Sequence, residues 1–277
     1  MYNLRYHIAS LVGVFLALSL GLLLGTVVAE RGMLDDQRDS LINSLERDFA
    51  KLSESNTRLS AENDSQTEFL VEVVPALVDG ALAGTTVAVL SNSGRSDGTS
   101  SIQDAIKAGG GTPVTLVIDM PGLGMDDPKI AAVVAPYINQ GSDPVAEVAS
   151  ALASEWTTVG PRPVTDALVK AGALRASELL PEVAVESIVF TATWDGKPDA
   201  MAVDIGRGIV IRGGKAVGAQ ATSLDTGVAA AALDRGLSAV DQMGTPLGTY
   251  SLVWVLAGRA SGYYGLGSGA QAQYPAP

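Results

Sequence analysis

Between Ile8 and Ala29 the chain runs for 22 residues without a charged side chain. As a helix rising 1.5 Å per residue, this stretch reaches about 33 Å, enough to cross a hydrocarbon core of about 30 Å. The apolar region of a secretion signal is shorter, about 7 to 15 residues. Val27-Val28-Ala29 ahead of Glu30 also fits a cleavage site, so both outcomes stay open, with length favouring a retained anchor. Arg5 precedes the run and an acidic remainder follows it. By the positive-inside tendency, residues 1–7 then form a cytoplasmic tail, 8–29 a transmembrane helix, and everything beyond lies outside. Gly13, Ala17, Gly21 and Gly25 recur at every fourth position. They share one helix face, on which a second backbone can approach closely in lipid.

Residues 30–79 read as a coiled-coil stalk. Ile42, Phe49, Leu70 and Leu77 fall at heptad position a, and Leu45, Leu52, Leu59 and Val73 at d. Asn56 and Asn63 occupy the two a positions between, where asparagine costs stability but fixes register and favours two strands. Gln66 at d weakens the seam, and an amphipathic helix packed on its own domain is the competing reading. Glu54 and Arg58 form an i to i+4 pair on the opposite face. Gly32 is a hinge candidate, Pro75 predicts a new turn or a kink, and Gly80 and Gly84 mark the passage into the next domain. Together the two segments predict a homodimer.

The head, 80–260, reads as an extracytoplasmic α/β domain with a mostly parallel sheet. "TTVAVLSNSG", "SIQDAIKAGG" and "TPVTLVI" spell strand, helix and strand. Helices are predicted at Pro128 to Tyr137 and at Val145 to Trp156, the latter entered through Ser142-Asp143-Pro144. "VESIVFTATWDG" predicts a strand, with Trp194-Asp195-Gly196 as a hairpin turn. "RGIVIRGGKAVGAQAT" predicts a further strand and a hairpin around Gly213-Gly214. "TGVAAAALDRGLSAVDQMG" predicts one helix ended by Gly244, and "TPLGTYSLVWVLAG" a core helix capped by Thr245. The Gly, Ser, Ala and Pro content of 261–277 predicts a flexible tail, with Tyr263 and Tyr264 packed at the chain end.

Chemistry is sparse. The chain has no cysteine, one histidine (His7) and a net charge of −12. Disulfides, thiolate metal sites and a Cys nucleophile are thereby excluded, a His-based triad would have to use His7, whose place just ahead of the apolar run argues against it, and nucleic acid is disfavoured as a partner. The loop "SNSGRSDGTSS" follows the first predicted strand, where open α/β sheets bind ligands, and Ser91, Arg95, Ser96 and Ser100 could hold an anion there. No glycine-rich phosphate fingerprint accompanies them. Met120 and Met125 in "MPGLGM" are soft donors suited to Cu(I), whereas methionine more commonly fills a core or a loop contact. Asp126 and Asp127 fit a helix start, and Asp199 and Asp204 read as surface acids. No carboxylate pair stands out for acid/base work, so no enzyme and no resident cofactor are predicted.

The opening "YNLRYHIASLVGVFLALSLGLLLGTVVAERGML", the heptads after it, "TTVAVLSNSG" and the ending "LSAVDQMGTPLGTYSLVWVLAG…GYYG" resemble the actinobacterial MctB family over nearly the whole chain. The resemblance implies a membrane-anchored, largely extracytoplasmic protein tied to copper homeostasis and, in some relatives, to cell-envelope separation. It supplies no ligand motif to carry over. A single span cannot form a pore alone. Two expectations follow: a dimeric envelope scaffold for an unknown membrane or envelope partner, or a copper-handling channel or efflux component acting as an oligomer.

Overall fold

Helix α1 (Leu4–Val78) runs without interruption through Gly32, and Pro75 sits inside it near its end. The computed structural model describes residues 4–92, 98–139, 143–177, 180–221 and 227–276, with backbone alone at 4–5, 29–37 and 181. The chain divides into two units, Met1–Gln66 and Thr67–Pro277. The first is the long helical part, and its Tyr6–Val28 stretch is long and apolar enough to span a bilayer, with a mean hydropathy of 2.5. On its surface Arg58 pairs with Glu62 at 3.7 Å rather than with Glu54. Both groups are exposed, so the pair contributes little.

The second unit opens with the last turns of α1. Leu70, Val74 and Val78 follow at i, i+4 and i+8, the spacing that puts three residues on one helix face. That face turns onto the head with Leu82 behind it. The a-position residue Leu70 is therefore engaged by the head, while Leu77 remains exposed.

The sheet is built as the opening motifs predict. Strand β1 (Thr86–Asn92), helix α2 (Thr99–Ala108) and β2 (Thr112–Ile118) form a parallel β-α-β unit. Next come α3 (Pro128–Val134), α4 (Pro144–Trp156), α5 (Pro163–Lys170), β3 (Leu174–Ala176) and β4 (Ser187–Phe190). A small hairpin, β5 (Thr193–Trp194) with β6 (Lys197–Pro198), precedes α6 (Ala200–Ile211) and β7 (Lys215–Ala221). The chain closes with α7 (Val228–Asp234), β8 (Ser238–Met243), α8 (Pro246–Leu256) and β9 (Tyr263–Tyr264). The main sheet has seven strands in the order β3-β2-β1-β4-β7-β8-β9. Only β3 runs antiparallel to its neighbour.

Alternate strand residues feed two cores. Ala88, Leu90, Ile188 and Phe190 face α3 to α7 on one side. Val87, Val89, Val189 and Val217 face α2, α8 and the end of α1 on the other. Three layers result, with a sheet buried on both faces, which is why its strands are continuous runs of Val, Leu and Ile. The crossovers through α2, α6 and α7 share one hand. The connection β8-α8-β9 steps in the same direction as β7-α7-β8 but places its helix on the opposite face, so its hand is reversed. That departure from the right-handed rule is confined to an edge strand of two residues.

Three readings of the chain's secondary structure and tail need correction. "RGIVIRGG" is not a strand and hairpin: Asp199 caps α6, whose residues Met201, Ile205 and Ile209 recur at helical spacing, and Gly213-Gly214 then turns the chain into β7. "TGVAAAALDRGLSAVDQMG" is not one helix, because Gly236 at φ 70 ends α7 and the rest is the buried strand β8. Helix-forming Ala, Gln and Met are overridden there by burial between two helical layers. Lastly, 261–276, the described part of the segment read as a flexible tail, packs on the head. Tyr263 and Tyr264 pair with β8, and Tyr264 bridges to Ala272.

Candidate functional site

Strand order reverses between β1 and β4, so the carboxyl ends of these strands border the crevice where open α/β sheets accept ligands. Side chains from three segments close over it. Asn92, at the last position of β1, is buried and donates from Nδ2 to the Thr193 carbonyl at 2.6 Å, while the Thr193 N–H donates back to Oδ1 at 3.4 Å. These bonds tie the β5–β6 hairpin to the sheet. The hairpin turns through Asp195 and Gly196, both at positive φ, as its Trp-Asp-Gly sequence predicts.

Asp199 completes the closure. It is 4% exposed, not the surface acid its sequence context suggests. Oδ1 accepts the Ala202 N–H at 3.1 Å and so caps α6. Oδ2 accepts Trp194 Nε1–H at 2.8 Å and the Gly122 N–H at 2.9 Å. One carboxylate thus fixes a helix start, the hairpin and the turn after β2. The signal was present in the sequence as an Asp directly ahead of an apolar helical period. Asn92 had no comparable signal. Asp204, the other acid read as a surface group, is half-buried and pairs with the more exposed Arg235.

The predicted anion loop falls largely outside the described residues: Arg95 and Ser96 lie there, as does Ser142 of the α4 start signal. Ser91 is buried in β1, and Ser100 is exposed on α2. Helix α2 starts behind Gly98 at φ 88, and among the described residues it has no side-chain cap and the buried Thr99 Oγ1 has no hydrogen-bond partner. The one histidine, His7, belongs to α1.

The soft-donor candidates occupy different surroundings. Met120 is 37% exposed ahead of the 3-10 turn at Pro121–Gly124, whereas Met125 packs on the core. Met201 and Met243 are core residues. Among the described residues no group of three His, Cys, Asp or Glu side chains is arranged to hold a metal ion. Asp127 caps α3 through Lys129 N–H at 2.9 Å, the helix-start role read for it.

A second polar cleft, about 450 Å³, lies between Gln220, Asp241, Tyr263 and Gly267. Asp241 is buried at its floor, where its carboxylate accepts from the Tyr263 phenol and from the Leu266 and Gly267 N–H groups.

The residues proposed for self-association are open. Gly13, Ala17, Gly21 and Gly25 are exposed, and a Cβ at any of the three glycines would meet nothing within 4 Å. Ile42, Leu45, Phe49, Leu52 and Leu59 are between 47% and 74% exposed, with Asn56 and Asn63 exposed among them.

These elements define a class: a chain with one N-terminal apolar helix fit for single-pass anchoring, a long helix, and an α/β head with a mostly parallel sheet. The particular family follows from comparison. The chain belongs to the MctB family, whose model, described as copper transport outer membrane protein, matches residues 1–275. No curated protein and no solved structure shows significant similarity to it.

Proposed function

We propose that the chain is a single-pass envelope protein, amino terminus in the cytoplasm and α/β head outside, that pairs through α1 as a parallel homodimer. It then presents its heads as a scaffold for another envelope protein. The observation that carries this reading is the row of large apolar side chains on the first unit, Ile42 to Leu59, exposed at heptad spacing. Exposed apolar surface of that extent in a water-facing helix calls for a partner, and asparagine at two successive a positions favours an identical one. In this reading the link to copper is a consequence of envelope integrity, and the chain has neither a catalytic role nor a resident cofactor.

The absence of native cysteine makes a direct test simple. Single-cysteine variants Leu45→Cys and Leu52→Cys, oxidised in membranes, give a cross-linked species of twice the mass, and Glu54→Cys on the outer face does not. Equal cross-linking at all three positions, or none, overturns the parallel pairing.

The family's description favours a second reading, direct copper handling by an oligomer. Cu(I) titration of the full chain under anaerobic reducing conditions separates the two. Tight binding that is lost in Met120→Leu/Met125→Leu supports handling at that turn, and binding no stronger than a competing chelator's supports the scaffold.

A further inference from the structure

At the amino ends of β7 and β8, the end of the sheet opposite the β1/β4 crevice, lies a cleft of about 410 Å³. Val210, Leu237 and Val255 contribute apolar walls, and Ser238 and Ser261 contribute hydroxyls. In a chain of net charge −12, the two lining residues that ionise at neutral pH are both cations, Lys215 and Arg259. Among the described residues neither has a carboxylate partner.

Both cations are positioned. The Arg259 guanidinium lies 5.0 Å from the centroid of the Trp254 ring. Trp254 is itself braced by Tyr250, centroid to centroid at 5.0 Å. An arginine held over an aromatic face keeps its planar N–H edge available for a carboxylate or phosphate. Lys215 reaches across Gly258: a Cβ there would stand 3.2 Å from its Cε and 3.6 Å from its Nζ. A side chain at Gly258 would press the lysine stem aside by a few tenths of an ångström, so the glycine gives Lys215 room beside the residue that precedes Arg259. Ser238 Oγ accepts the Gly262 N–H at 3.1 Å, which leaves its own O–H to donate elsewhere. Cations here also complement the carboxyl end of α8. A role confined to that dipole needs neither an oriented guanidinium nor a cavity with apolar walls.

We propose that this cleft binds a small organic anion, with a carboxylate or phosphate monoester head held by Lys215 and Arg259 and an apolar body against Val210, Leu237 and Val255. Trp254 reports on it. With 5-fluorotryptophan in the full chain, held in neutral maltoside micelles, three ¹⁹F resonances are expected from Trp156, Trp194 and Trp254, and Trp254→Phe assigns the last.

Phenyl phosphate and phenylacetate are the probes, benzyl alcohol the uncharged control. The Trp254 resonance should shift saturably with one or both anions and not with the alcohol, and the stronger of the two identifies the head group. Arg259→Ala and Lys215→Met should each weaken binding by about tenfold or more, the loss expected for one charge-assisted contact. The Trp156 and Trp194 resonances should remain in place. Lys215→Met, at an exposed position, carries the test by itself if Arg259→Ala disturbs the fold. An equal response to benzyl alcohol, unchanged affinity in the variants, or no saturable shift overturns the assignment and leaves the two cations as helix-end charges.

Discussion

The Tyr263 phenol donates to the Asp241 carboxylate on the neighbouring strand, and the same carboxylate takes the N–H groups of Leu266 at 2.8 Å and Gly267 at 2.6 Å. One buried acid thereby holds the segment that follows β9. Tyr263→Phe removes one donor, whereas Asp241→Ala leaves three donors without their acceptor. A buried polar group left unpaired costs about 1–3 kcal/mol. Asp241→Ala should therefore lower the melting temperature more than Tyr263→Phe, and hydrogen exchange at residues 265–276 should accelerate. Undiminished protection there in Asp241→Ala would mean the carboxylate is not what holds the segment.

Asp199 joins the α6 start to Trp194 and Gly122. Asp199→Ala loses a helix cap, typically worth about 1 kcal/mol, and strands two further donors. A total near 2–4 kcal/mol is expected, with a red shift of Trp194 emission as its indole N–H loses its partner. Asp199→Asn, which keeps acceptor capacity at one oxygen, should recover part of the loss. Equal stability of the Ala variant and the parent would refute the clamp.

Gly248 in α8 leaves no room for a methyl group. An added Cβ would lie 2.1 Å from the Gln242 carbonyl oxygen, part of the backbone at the end of β8. Gly248→Ala raises helix propensity, yet it should destabilise the head by about 1–3 kcal/mol, because the clash is with backbone that cannot swing away. Chemical denaturation reads the sign directly, and a stabilised variant would show that α8 can slide.

Burial holds the Tyr250 phenol above its ordinary value of 10.0, a rise opposed by Arg259 and supported by Tyr274. The phenol stays neutral in the fold while that of the unfolded chain ionises. Its contribution is complete below about pH 10 and is lost as pH climbs through the raised value. Tyr250→Phe should flatten the alkaline fall in melting temperature between about pH 9 and pH 11. Parallel curves for the two proteins would assign the alkaline loss to other groups.

Gly21 has open space around it within the chain. Gly21→Ile should leave the melting of the head unchanged while abolishing cross-linking of Leu45→Cys and Leu52→Cys, if close approach in lipid drives pairing. Persistent cross-linking would assign pairing to the heptads alone.

The elements legible in the sequence were those whose signal is local. The apolar run, the β1-α2-β2 unit, the Thr245 cap and the Trp194-Asp195-Gly196 turn each depend on neighbours within a few residues. The Thr245 hydroxyl does accept the Gly248 N–H at 3.1 Å. What was misread depends on distant burial. "LSAVDQM" becomes a strand only because α7 and α8 cover its two faces, and "GYYG" becomes an edge strand only because Asp241 waits on the strand beside it. The candidate site was legible as a place, the end of β1, but not in its parts. Asn92 and Thr193 meet across 101 residues of sequence, a separation that no pattern reading spans.

That separation also sets an order of events as the chain emerges during synthesis. β1 is near the start of the head, yet it lies inside the sheet, with Val87 opposite Pro113 on one side and Ser187 on the other. The parallel pairing of β1 with β4 cannot form until the chain through Phe190 has been delivered, and such non-local contacts close slowly. Until then one flank of β1 is an open apolar edge, so the interval between emergence of Asn92 and arrival of Phe190 is when the head most needs protection from aggregation.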